Sequence, residues 1–220
     1  MNRLRATAIA ISLPVFIYGL SLLSSDLNDP ILAKGPIQSG HQTIDCRDCH
    51  VKSRGTLRQQ LQANARYLVD LRSSPADIGY SQVTSAQCLA CHERPNERHP
   101  IYRFQEPRFH EARSKIEATS CLGCHSEHNN EKAYIEPGFC RACHGDLRLK
   151  SDPIDIPHHE IIQNQDWDSC LGCHDFHGNH RMETAKVYND RYSMTAIQDY
   201  LGAGPSPYGT ERHFEAKQQP

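Results

Sequence analysis

The first pattern in the chain is an uncharged run from Ala6 to Leu23, preceded by Arg3 and Arg5 and followed by Asp26 and Asp29. At helical rise those eighteen residues extend about 27 Å, close to a hydrocarbon core. Basic residues lie before the run, and the next one after it is Lys34. The run therefore predicts a single N-terminal transmembrane helix over 1–25, its start cytoplasmic and the remainder outside. A cleaved signal peptide is the alternative, and no clear Ala-x-Ala site closes the run.

Residues 26–40 carry Pro30, Gly35, Pro36 and Gly40 and read as a linker. From 56 to 72, Leu57, Leu61, Ala65, Leu68 and Leu71 recur at three and four residues, which predicts a helix with one apolar stripe. The expected role of that stripe is packing in the interior, with partner binding second. Residues 93–109 hold Pro95, Pro100 and Pro107 among Arg94, Arg98, Arg103 and Arg108, an extended or turn-like stretch. No segment alternates long enough to claim a sheet. A short helix is expected within 183–201, and the rest of 183–220 reads as a surface tail.

Composition changes this picture. Only 7% of the 220 residues are aromatic and 23% are charged. Such a chain has few large apolar side chains with which to build a core of its own. A net charge of −2 gives no reason to expect nucleic acid as a partner.

All ten cysteines fall into five Cys-x-x-Cys pairs, and a histidine follows each pair. They are Cys46-Arg47-Asp48-Cys49-His50, Cys88-Leu89-Ala90-Cys91-His92, Cys121-Leu122-Gly123-Cys124-His125, Cys140-Arg141-Ala142-Cys143-His144 and Cys170-Leu171-Gly172-Cys173-His174. This spacing is the haem c attachment signature. Two thiols add across the two vinyl groups, and the next residue supplies the proximal imidazole. A disulfide framework does not call for the histidines, and zinc ribbons place theirs at longer spacings. Five covalently bound haems c are expected, within a domain over 41–182.

Nine of the fourteen histidines lie outside the motifs. Part of the chain repeats with a period of 49 residues, from 110 to 159 and from 121 to 170. His110-Glu111 and His159-Glu160 begin eleven residues before Cys121 and Cys170, both copies read Ser-Cys-Leu-Gly-Cys-His, and His128 and His177 each follow three residues after the proximal histidine. The expected distal ligands are His110, His128, His159 and His177, with His41 as the fifth. A histidine three residues past a motif bends poorly to its own iron and is expected to reach a neighbouring one. His99, His158 and His180 stand in reserve, and His213 last. Met182 and Met194 are secondary thioether donors.

Cys121–His128 and Cys170–His177, with upstream His110 and His159 and with His41 before Cys46, resemble the class III cytochromes c, the cytochrome c3-like group with Cys-x-x-Cys-His-x-x-His motifs. The resemblance covers roughly 41–180. It implies bis-histidine haems, mostly α structure with many irregular segments, a core formed by the haem stack, and an electron carrier rather than an enzyme. The chain departs from the tetrahaem type in having five motifs and an apparent anchor. Anchor and haems together are also similar to the membrane-bound quinol dehydrogenases of the NapC/NirT type, but 22 residues separate Leu23 from Cys46 here. A multihaem reductase is the third alternative. The expected location is the bacterial inner membrane, single-pass, with the haem domain in the periplasm. The expected partners are redox proteins or a membrane quinol-oxidising complex.

Overall fold

A computed structural model describes residues 3–24, 35–38, 40–129 and 131–217. The architecture is mostly helical, and the described residues contain no strand, only isolated bridges at Lys52–Tyr80 and His180–Arg212. The linker expected at 26–40 lies largely outside the described residues.

Helix α1 spans Arg3–Ser24. The expected transmembrane helix is not borne out: among the described residues no helix is long and apolar enough to cross a membrane. An uncharged run is not a uniformly apolar one. Thr7, Ser12, Tyr18 and Ser21 put polar atoms along it, and Pro14 removes a backbone donor from its middle. The fold class loses its membrane anchor, and the single-pass inner-membrane location, with the periplasmic placement derived from it, loses the helix on which it rested.

The remaining helices are short, and side-chain caps start several of them. Asp45 and Asp48 form a reciprocal cap at the start of α2 (Cys46–Cys49). Thr56 and Gln59 do the same for α3 (Leu57–Leu68), as do Thr84 and Gln87 for α4 (Ser85–His92). Each such pair satisfies orphan amide groups at a helix start. The stripe of α3 faces outward: Leu57 is 59% exposed and Leu68 80% exposed. What anchors this helix is Gln60, which is buried and donates to the carbonyls of Ser53, Arg54 and Gly55 while accepting from Gly79 N–H.

Two 3-10 turns, Ile101–Gln105 and Pro107–Phe109, carry the proline-rich stretch into α5 (His110–Arg113). Helices α6 (Arg141–His144), α7 (His158–Gln163) and α8 (Cys170–Cys173) follow. The expected C-terminal helix is α9 (Met194–Leu201), capped by Ser193. The buried apolar residues are few: Ala112, Ala118, Trp167, Cys173, Ile197 and Tyr208. Ile197, in α9, is fully enclosed. The 183–220 segment is therefore packed structure over much of its length. Tyr208 donates to the Leu171 carbonyl at 2.6 Å, and Tyr192 N–H donates to the Gly172 carbonyl at 2.9 Å, so the segment closes over the fifth motif.

Candidate functional site: five facing pairs of imidazoles

Each cysteine motif sits at or in a short helical turn, which projects two sulfurs and the following histidine together. Three begin one: α2, α8 and the 3-10 turn Cys121–Gly123; the second motif ends α4. The fourth motif runs through α6. The nine cysteines from Cys49 to Cys173 form no disulfide. Gly123 and Gly172 answer to close backbone approach: a Cβ would lie 1.7 Å from the Glu117 carbonyl oxygen at the first and 2.7 Å from that of Tyr192 at the second.

Every motif histidine faces one histidine from elsewhere in the chain. The ring centres are 5.8 Å apart for His92 and His41, 6.3 Å for His50 and His128, 6.1 Å for His144 and His99, 6.0 Å for His125 and His177, and 6.2 Å for His174 and His158. No non-motif histidine serves two of these pairs.

The outer member of each pair is also held from behind through Nδ1. His41 meets Glu127 Oε2 at 2.6 Å, His158 meets Asp152 Oδ1 at 2.8 Å and His177 meets Glu97 Oε1 at 2.6 Å. His99 meets the Phe176 carbonyl at 2.5 Å, and His128 meets the Gly35 carbonyl at 3.2 Å. Carbonyls and ionised carboxylates only accept, so Nδ1 donates in each, and in the neutral ring Nε2 keeps its lone pair. Of the motif histidines, His125 is held in the same way by the Lys132 carbonyl at 2.6 Å.

Electrostatics favour the neutral, coordinating form at several rings. Burial lowers the pKa of His92, His99, His125 and His174. The hydrogen bond to Glu127 raises His41, and the same bond holds the Glu127 carboxyl below its usual range. Burial pushes Glu97 upward, but His177 and Arg94 outweigh it, so its carboxyl is depressed overall. Asp152 is also depressed: burial raises it, and the backbone and ring of His158 more than reverse that.

The other histidines behave differently. His180 is buried, its Nδ1 on Asp175 at 2.9 Å and its Nε2 3.2 Å from Ser206 Oγ, so both nitrogens are occupied. His110, His159 and His213 are exposed. Of the five expected outer histidines, then, His41, His128 and His177 each face a motif histidine. His110 and His159 do not, and His99 and His158 stand in those places. Repeat register points to His159, whereas the residue that faces the fifth motif's histidine is His158. His158 lies one residue earlier, and Asp152 grips both its backbone N–H, at 2.6 Å, and its ring. The adjacent pair His158-His159 and the acid upstream were the available signals. Glu127, next to His128, and Glu97, two residues before His99, were not singled out from sequence. The arginines of the proline-rich stretch are partly engaged by protein: Arg94 with the His177 carbonyl, Arg103 and Arg108 with Glu106.

The donor sets test what fits between the rings. Among the described residues no group of three or more His, Cys, Asp or Glu is placed to hold a bare metal ion. Each site offers two neighbouring imidazoles, with ring planes 22° to 90° apart, and a cysteine pair beside one of them. A metal–imidazole bond of about 2.0 Å on either side, plus about 1.1 Å from nitrogen to ring centre, separates the ring centres by about 6 Å. The five observed separations match that span. Such a pair suits a metal whose remaining four ligands lie in a plane on a group the cysteines can anchor. Thiols of different motifs also meet: Cys88 with Cys121 and Cys140 with Cys170 are in hydrogen-bond contact. That contact raises Cys88 and Cys170 and lowers Cys121, to about 6, and Cys140.

Comparison of the chain with protein-family models, curated proteins and solved structures gives no match.

Proposed function

We propose that the chain is a five-haem c-type cytochrome that carries electrons. One haem is attached at each of Cys46/Cys49, Cys88/Cys91, Cys121/Cys124, Cys140/Cys143 and Cys170/Cys173. Its iron is held between His50 and His128, His92 and His41, His125 and His177, His144 and His99, or His174 and His158, in the same order. One observation carries the reading: five motif histidines face five different partners at 5.8–6.3 Å, and each partner is turned by an acceptor at Nδ1 so that Nε2 points its lone pair away.

The haem supplies a one-electron couple at iron. The protein would supply attachment through sulfur and two imidazoles per iron. With two imidazoles offered at each site, each iron would be held by protein on both sides, which suits relay rather than turnover. A six-coordinate iron changes its bond lengths little between oxidation states, which keeps reorganisation small. The small apolar core also has a place here, since five macrocycles supply the apolar bulk the side chains lack.

The test is expression of the full chain with a haem c attachment system. The denatured protein should carry the mass of five haems, and the oxidised protein should show five low-spin irons by electron paramagnetic resonance. Fewer attached haems, or a high-spin iron in the unaltered protein, would overturn the reading.

A further inference from the structure

The five outer imidazoles are held from behind by two chemically different kinds of acceptor. His41, His158 and His177 donate to carboxylates, at 2.6, 2.8 and 2.6 Å. His99 and His128 donate to neutral backbone carbonyls, at 2.5 and 3.2 Å. We infer that Glu127, Asp152 and Glu97 are positioning residues that lower the reduction potential of the haems at 88/91, 170/173 and 121/124, leaving those at 46/49 and 140/143 to be reduced first. This rests on the five-haem reading above.

The physical reason is the charge behind the ring. A carboxylate accepting from Nδ1–H draws that proton toward itself and raises the electron density at Nε2, so the imidazole becomes a stronger donor. A stronger donor favours the more positive iron, and the potential falls. A carbonyl orients the ring equally well but brings a dipole in place of a full charge. The His99 contact is short, yet its acceptor is neutral.

Solvent does not erase the difference. The side chains of Glu97, Asp152 and Glu127 are 14%, 21% and 30% exposed. The other groups facing these acids differ from site to site. Arg94 lies 3.7 Å from Glu97 and offsets part of its charge. Asp152 also accepts from the His158 backbone. Glu127 has His125 and His128 in its field besides His41.

Each step is a one-electron reduction of ferric to ferrous iron by the mediator used in the titration, with the Nδ1 proton staying on its ring. The inference gives the chain a defined filling order: the first two electrons settle at the first and fourth attachment sites, and the other three follow at lower potential.

The experiment is a potentiometric titration of the haem-loaded full chain, followed optically and by electron paramagnetic resonance. The unaltered protein should show two one-electron transitions above the other three. Glu97→Gln, Asp152→Asn and Glu127→Gln should each raise one of the lower three. The expected rise is at least tenfold in that haem's reduced-to-oxidised ratio at fixed potential, about 59 mV for one electron. All five irons should remain low-spin, because the amide oxygen still accepts from Nδ1–H. A purely structural role predicts no shift in these variants. If an amide variant loses its low-spin signal, the Glu97→Asp, Asp152→Glu or Glu127→Asp exchange decides the matter. Retention of the original potential there supports a role for the charge, and a rise overturns it. Five low-spin haems with unmoved potentials in all three amide variants would overturn the inference and leave the ligation standing. A shortfall of haems in the unaltered protein would instead remove the reading beneath it.

Discussion

The two copies of the 49-residue repeat share a frame, yet different parts of the chain complete them. In the first, Gly123 lies against the carbonyl of Glu117, from the loop just upstream. In the second, Gly172 lies against the carbonyl of Tyr192, from the C-terminal segment. Ser120 accepts from Leu122 N–H and caps a 3-10 turn, whereas the equivalent Ser169 is buried and donates to the Asp166 carbonyl. The residue before His-Glu is Phe109 in the first copy and His158 in the second. Only the second copy turns a histidine of its own toward its motif; the first is faced by His177, which the second copy lends it. A repeated motif thus fixes how the cysteine pair and its histidine are presented. A single position outside the shared frame fixes what closes its opposite side.

The sharpest way to break this comparison is at that position. On the five-haem proposal, His158→Ala should leave one iron with an open site, giving a high-spin signal and a carbon monoxide adduct in the reduced protein. Phe109→Ala, its counterpart, should give neither. Next in size is the packing that only the second copy has. Ile197→Ala should cost about 2–5 kcal/mol, because the site is fully enclosed and a cavity is left behind. Leu122→Ala in the first copy removes a side chain that is 43% exposed and should change the unfolding free energy by about 0.5 kcal/mol or less.

A smaller effect separates the two closures chemically. Tyr208→Phe deletes the bond to the Leu171 carbonyl and should cost about 0.5–1.5 kcal/mol. Burial raises the Tyr208 phenol well above its ordinary 10.0. Its folded value lies above its unfolded one, so its contribution is complete below pH 10.0 and is lost only as pH rises through the folded value. Phenolate absorbance should therefore contain a late component that Tyr208→Phe lacks. The smallest effect is the most pointed: His110→Ala and His159→Ala should leave the spectra unchanged and stability within about 0.5 kcal/mol.

The local features of the fold were the most readable. The stripe from Leu57 predicts a helix over 56–72, and α3 runs Leu57–Leu68. Cysteine spacing marks where the short turns fall. His41, His128 and His177 stand out because each keeps a fixed position beside a motif. His99 and His158 do not, because their placement comes from tertiary contacts, the Phe176 carbonyl and Asp152, that no periodicity encodes. At the N-terminus, counting charges overstated apolarity, since Ser, Thr, Tyr and Pro pass as uncharged. The C-terminal segment reads as a surface tail because its apolar residues are sparse, but two of them, Ile197 and Tyr208, are the ones that become buried.

Lending histidines backward along the chain also sets a timetable for biosynthesis. The first attachment site is made early, but the residue that faces it, His128, follows only after the third motif has been translated. The third site waits in the same way for His177, beyond the fifth motif. At these two sites of the proposed cytochrome the cysteine pair therefore leaves the ribosome before the histidine that faces it, whereas His41, His99 and His158 precede their motifs. On the five-haem proposal, a chain stopped between His128 and His177 would have its first iron closed and its third still open to small molecules.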